Sequence, residues 1–218
     1  MKKIYLTALV ISIFYFPACQ KQVSQVKLSS TDSLRVLKEI ALYRAERDSF
    51  FQYSPDSPFK RDTTVHFNGL KYFDTDLSLY FQSKLHRYAN PETVTVLGTK
   101  GEERKQLKYG YFVLQYHSIE YKINVYKFTP YDKKRYELYK DNLSFWFRDK
   151  TTGKETYNVG RYVEIGDENP DPDHVYTIDL NRAYNPYCAY NPTYSCAIPR
   201  DEDYLDFEVH AGEKKYHE

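Results

Sequence analysis

The sequence predicts a mainly β protein of α+β type: an antiparallel β-barrel or sandwich of about eight strands, with one N-terminal helix packed on it. Three observations predict it. Beyond residue 78 the chain breaks into short runs rich in Val, Ile, Tyr and Phe, set apart by Gly, Pro, Asn and Asp turn signals. Helical spacing of apolar residues stands out over about 32–51. Tyrosine is the outlying residue type, 24 copies against one Met and one Trp, and it favours strands and half-wet surfaces.

In chain order, Met1-Lys2-Lys3 is a short basic segment, and the apolar run over 4–16 is too short to cross a bilayer, which needs about 20 residues. The pair fits a secretory signal. Ala18-Cys19, followed at once by polar Gln20-Lys21-Gln22, resembles a bacterial lipobox, although Phe16 and Pro17 stand where Leu and a small residue are usual. Residues 1–18 are therefore expected to be a lipoprotein signal peptide, Cys19 the lipidated N-terminus, and 19–30 a tether. An uncleaved N-terminal anchor is the alternative. Both readings put the rest of the chain outside the cytoplasm, anchored to a cell-envelope membrane. Gln20 in place of Asp favours the outer membrane, by resemblance to enteric lipoproteins.

Residues 31–218 have the length of one β-rich domain. Thr31 or Asp32 is expected to cap the helix, with Leu34, Leu37, Ile40 and Ala41 on its apolar face, and Ser54-Pro55 and Ser57-Pro58 are expected to stop it. Strands are expected near 78–88, 93–97, 106–116, 120–128, 143–148, 155–165, 175–180 and 204–210. The third and fourth form a long hairpin across His117-Ser118. Charge is nearly balanced, 31 basic against 30 acidic residues, with no basic stripe, which argues against a nucleic-acid partner. Walker, dinucleotide, Gly-x-Ser-x-Gly and His-Glu-x-x-His signatures are absent. No cofactor or metal site is expected.

Three polar clusters fall in the last third: Asp149 to Tyr157 with Arg161, Asp179 to Pro186, and Ala211 to Lys215. Hairpin and strand-end chemistry explains Gly153, Asn185 and Pro186. It explains less well the crowding of Asp149, Glu155, Tyr157, Arg161, Asp179, Asn181, Asn185 and Glu213. If these converge, Arg161 would grip a carboxylate or phosphate, and Glu155 or Asp179 would act as base. Tyr157, Asn181 and Glu213 complete the catalytic candidates, with Asp149 and Asn185 as binding candidates. The structural alternative is a buried Arg161–Asp179 ion pair that pins the loop at 181–199.

The strings DKTTGKETYNVGRY, IDLNRAYNPYCAYNPTYSC and AGEKKY resemble the signature blocks of a bacterial and archaeal family, domain of unknown function family 1684. The resemblance spans about residues 32–216, with Leu180 in place of Phe and Ala197 in place of the Pro after the second Cys. It implies no reaction, substrate or cofactor.

With Cys19 lipidated, Cys188 and Cys196 remain as a pair in an oxidising compartment. A disulfide closing that short loop would contribute roughly 2.5 kcal/mol on the chain-entropy model. The family resemblance includes members that are not exported, so the alternatives stay open: two buried reduced thiols, a two-Cys metal site with His174 or His210, or a redox or catalytic thiol.

Two functions from different classes fit. The preferred one is a non-catalytic envelope lipoprotein that binds a small molecule, a glycan or another envelope component; it requires an open, Tyr-lined groove. The other is a hydrolase or transferase; it requires Arg161, Glu155 and Asp179 to meet in one cleft.

Overall fold

The structure, a computed structural model, describes residues 26–60 and 66–217. The expected signal segment, Cys19 and most of the tether lie outside the described residues. Helix α1 (Ser30–Tyr53) is capped by Ser29, whose hydroxyl accepts the Asp32 N–H, rather than by Thr31 or Asp32. It ends where Ser54 turns extended before Pro55, its N–H returning to the Phe50 carbonyl.

Of the expected apolar face only Ile40 is buried, together with Val36 and Phe51, while Leu34, Leu37 and Ala41 are exposed. The face that docks carries Tyr43 and Arg47, whose hydroxyl and Nε find partners in the body of the protein. Buried hydrogen-bonding groups, not apolar count alone, select the face.

Eight strands follow: β1 (Tyr80–Lys84), β2 (His86–Leu97), β3 (Glu103–Tyr116), β4 (Ile119–Phe128), β5 (Asn142–Asp149), β6 (Arg161–Asp167), β7 (Val175–Asp179) and β8 (Tyr204–Leu205). They form three sheets, β1-β7, β2-β3-β4 and β6-β5-β8. Of the two expected architectures the sandwich holds, since no sheet closes into a barrel. Pairings are antiparallel except for β5 with the two-residue β8.

The expected β3–β4 hairpin forms, with His117 and Ser118 both at positive φ in a tight two-residue turn. The expected strand over 78–88 divides at Leu85 into β1 and the start of β2. The expected strand over 155–165 begins only at Arg161, because residues 150–160 fold back as a turn held by the Thr151 carbonyl. Helix α2 (Lys133–Tyr139), which the strand pattern did not suggest, follows β4.

The main core fills the space between sheets with Phe81, Phe112, Leu114, Ile123, Val125, Phe145, Phe147 and Ile178, all nearly inaccessible to solvent. A second, aromatic cluster of Phe51, Phe59 and Tyr190, joined by Phe67, Tyr187 and Tyr216, fixes the end of α1 to the 187–190 turn. Among the described residues no helix is long and apolar enough to cross a membrane.

Candidate functional site

The expected constellation comes together in part, as two buried devices that adjoin at Glu213, with Asp179 and Asn181 serving elsewhere. Arg161 opens β6 opposite Phe147 of β5, and Asp149 lies two residues further along β5. Strand pairing therefore gives Arg161 the partner Asp149, at 2.9 Å, with neither side chain exposed. The expected Arg161–Asp179 pair does not form, because Asp179 lies on β7 in a different sheet. The Arg161 guanidinium also donates to the carbonyls of Val209 (2.8 Å), Ala211 and Glu213 (3.3 Å). Burial pulls its pKa down, opposed first by the Asp149 charge. Asp149 in turn accepts from the Thr151 N–H and hydroxyl, at 2.8 and 2.6 Å. Arg161 is thus a pin for the C-terminal segment and offers no open fork to a ligand.

Glu213 anchors a second device. One oxygen accepts from Arg47 Nε at 2.8 Å; the other accepts from the Tyr190 hydroxyl and from the Asn185 N–H at 2.9 Å. Asn185 Nδ2 donates to the Lys214 carbonyl at 2.8 Å. Burial alone would lower the Arg47 pKa, but Glu213 outweighs it and the net direction is up. Gly212, at φ +73, lets Glu213 approach Ala183; a Cβ there would lie 2.4 Å from the Ala183 carbonyl oxygen. Arg47 is the participant that sequence reasoning missed, since its partner is 166 residues away.

The other candidates serve elsewhere. Asp179 caps a 3₁₀ turn through the Asn181 N–H at 3.0 Å, and Asn181 binds both the N–H and the carbonyl of Asp76 at 2.8 Å. Glu155 is exposed and pairs with His210 at 3.0 Å. Tyr157 donates to the Cys188 carbonyl at 3.3 Å. Cys188 and Cys196 are free thiols in this structure. Arg161, Glu155 and Asp179 do not meet in one cleft. Among the described residues no group of three or more His, Cys, Asp or Glu is arranged to hold a metal ion.

Among the described residues, two open cavities stand out. The first, about 530 Å³, lies where β2, β3 and β4 meet the segment that follows β4. Its mainly apolar wall includes Thr93, Leu107, Phe128, Pro130, Tyr131 and Tyr136. Local sequence builds it: Thr129 breaks the strand, Pro130 starts a 3₁₀ turn without needing an N–H partner, and Asp132 caps α2 through the Arg135 N–H. This swings Tyr131 outward, where it is 87 % exposed. The aromatic run Phe128, Tyr131, Tyr136, Tyr139 was the available signal, but alternation alone could not separate it from another strand.

The second cavity, about 400 Å³, is polar and lies between α1 and strands β6 and β7. Arg35, Glu39, Glu164, His174, Asp179 and Arg182 line it. Burial raises the Asp179 pKa against the pull of its Asn181 hydrogen bonds. Glu164 is exposed at the rim, where it accepts a 2.6 Å bond from the Tyr184 hydroxyl.

With this geometry in place, comparison with known proteins adds the following. A family model described as "Protein of unknown function (DUF1684)" matches residues 65–214. An uncharacterized protein of Haloarcula marismortui, solved by solution NMR, has a similar structure with a TM-score of 0.62 and 28% sequence identity. The similarity covers 85% of this chain and 97% of that one. No curated protein matches.

Proposed function

The chain belongs to the DUF1684 family, and from that premise we propose that it is a cell-envelope lipoprotein whose β-rich domain binds a glycan in the aromatic groove. The observation that carries the reading is the exposure of Tyr131 beside Tyr136 and Phe128, over an apolar floor of about 530 Å³. A sugar ring has an apolar face that stacks on an aromatic ring, and hydroxyls that the Tyr oxygens and Thr93 can meet. The volume falls within the range of small-molecule sites, and concave, mostly apolar walls with a few polar groups are their usual form. An exposed aromatic cluster has a cost in water that a ligand would offset. The dispersal of Glu155, Arg161 and Asp179 supports binding over catalysis by that group.

Export and anchoring belong to the same proposal. Cys19 would carry the lipid, and because Val26 and Leu28 already pack against the domain, residues 20–25 would let it stand at most about 20 Å from the membrane surface. Radiolabelled palmitate is expected to enter the wild type and not Cys19→Ser. No label in the wild type would remove the lipid anchor.

The binding test is a titration of the domain with a panel of soluble oligosaccharides, amino-sugar oligomers included. Saturable binding that weakens at least ten-fold in Tyr131→Ala and Tyr136→Ala is the expected result. Binding that those substitutions leave unchanged would move the ligand out of this groove. A second reading, hydrolase or transferase chemistry, has one specific support: a buried carboxyl of raised pKa, Asp179, lines the polar cavity. Turnover of any panel member that is lost in Asp179→Asn would favour it.

A further inference from the structure

The loop from Cys188 to Cys196 takes no part in either cavity, yet it is held at both ends. At the Cys188 end, Tyr157 donates to the Cys188 carbonyl, and Asn191 anchors the loop by donating to the Pro58 carbonyl at 2.8 Å. At the Cys196 end, the Thr99 N–H donates to the Cys196 carbonyl at 2.9 Å, and Thr99 Oγ1 accepts the Cys196 N–H at 3.2 Å. These clamps bring the two residues together: the Cys188 N–H donates to Cys196 Sγ at 3.2 Å. The Tyr157 hydroxyl turns toward Cys188 Sγ at 3.7 Å. A neutral thiol sulfur is a weak acceptor, so a hydroxyl donor held against it suits a thiolate. Access is unequal, with Cys188 half-buried and Cys196 buried.

From this juxtaposition we propose that Cys188 and Cys196 form a reversible dithiol–disulfide couple that exchanges with an external disulfide, Cys188 attacking and Cys196 resolving. The Cys188 thiolate attacks one sulfur of the external disulfide. That S–S bond breaks, and one thiolate leaves and takes up the proton that Cys188 released. Cys196 then gives up its proton and attacks Cys188 Sγ. The mixed disulfide breaks, and the second external thiolate departs as a thiol. The chain has lost two electrons and two protons, and the external disulfide has become two thiols. The reverse sequence reduces the chain. Hydrogen bonding from Cys196 first, with Tyr157 and Thr99 adding to it, lowers the Cys188 thiol to about 7, while the same hydrogen bond and burial push the Cys196 thiol up. The first therefore attacks near neutral pH, and the second acts only after Cys188 has been consumed. This couple stands independently of the glycan reading.

The test uses the full chain, reduced and in detergent. A short pulse of iodoacetamide on the native protein, read by peptide mass, is expected to label Cys188 at least ten-fold faster than Cys196. Oxidised glutathione is expected to leave wild type two hydrogens lighter with no glutathione retained, and reduced glutathione to restore it. Cys196→Ser is expected to retain one glutathione on Cys188, and Cys188→Ser to retain none over the same interval. The proposal falls if Cys196 labels first or equally, or if both wild-type thiols survive excess oxidised glutathione. It also falls if the disulfide forms but resists reduced glutathione, which would mark a fixed staple. The two wild-type experiments decide the matter even where a variant fails to fold.

Discussion

Replacing Arg161 by Met keeps most of the aliphatic volume and removes the charge, so it isolates what the guanidinium does. In the native chain that group bonds Asp149 and the carbonyls of Val209, Ala211 and Glu213, all in the dry interior. Arg161→Met leaves a buried carboxylate without its cation, and removing one partner of such a pair costs about 3–5 kcal/mol. For a domain of this size each kcal/mol moves the melting temperature by about 2–4 °C, so 4 kcal/mol is a fall of roughly 8–16 °C. The assay is urea and thermal unfolding of wild type, Arg161→Met, Asp149→Asn and the double variant. Asp149→Asn keeps Oδ1 as an acceptor for Thr151, so the double variant should be less destabilised than the two singles summed, by about 1–3 kcal/mol. A loss below about 1 kcal/mol in Arg161→Met, on the scale of exposed pairs, would refute the claim that Arg161 pins the C-terminal segment.

Further outcomes follow from the same geometry. Gly212→Ala forces a side chain into the left-handed region against the Ala183 carbonyl, and unfolding should show a loss of about 2–3 kcal/mol. Because burial raises the Asp179 pKa, the stability it contributes is complete below its ordinary value of 3.8 and lost as pH rises through the folded value. A carbon-13 NMR titration should place its midpoint above 3.8, and a midpoint at or below that figure would contradict the buried setting. Glu168 has the opposite sign: burial pulls it up, but Lys127, Tyr109 and Arg87 outweigh burial and lower it. Its contribution is present above 4.5 and lost as pH falls through the folded value, so Glu168→Gln should flatten the acid limb of the stability curve.

Local physics made much of the fold legible. Alternation in residues 120–128 and the His117-Ser118 turn specified the β3–β4 hairpin, whose pairing is a short-range matter. The helix was visible in its spacing and its stop at Ser54-Pro55, but its docking face was not. Leu34 and Leu37 looked like the core because apolar periodicity ignores distant partners, whereas Arg47 and Tyr43 are selected by Glu213 and the Arg182 carbonyl. The polar residues of the last third are legible as special, and most are buried or bonded. Their convergence holds in part: Arg161 meets Asp149 and the Glu213 carbonyl, and Asn185 meets the Glu213 carboxylate, but residue type alone matches Arg161 to Asp179, whereas strand register gives it Asp149. The aromatic groove was not legible, since whether Tyr131 faces core or solvent depends on a 3₁₀ turn and a seven-residue helix.

The central claim, that the aromatic groove binds a glycan, is tested most directly by nuclear magnetic resonance shift mapping. The isotope-labelled chain is titrated with the oligosaccharide panel and perturbed residues are located. Saturable shifts concentrated at Thr93, Leu107, Phe128, Tyr131 and Tyr136 are the predicted result. Shifts centred instead on Arg35, Asp179 and Arg182, or no saturable shift with any member of the panel, would contradict the account.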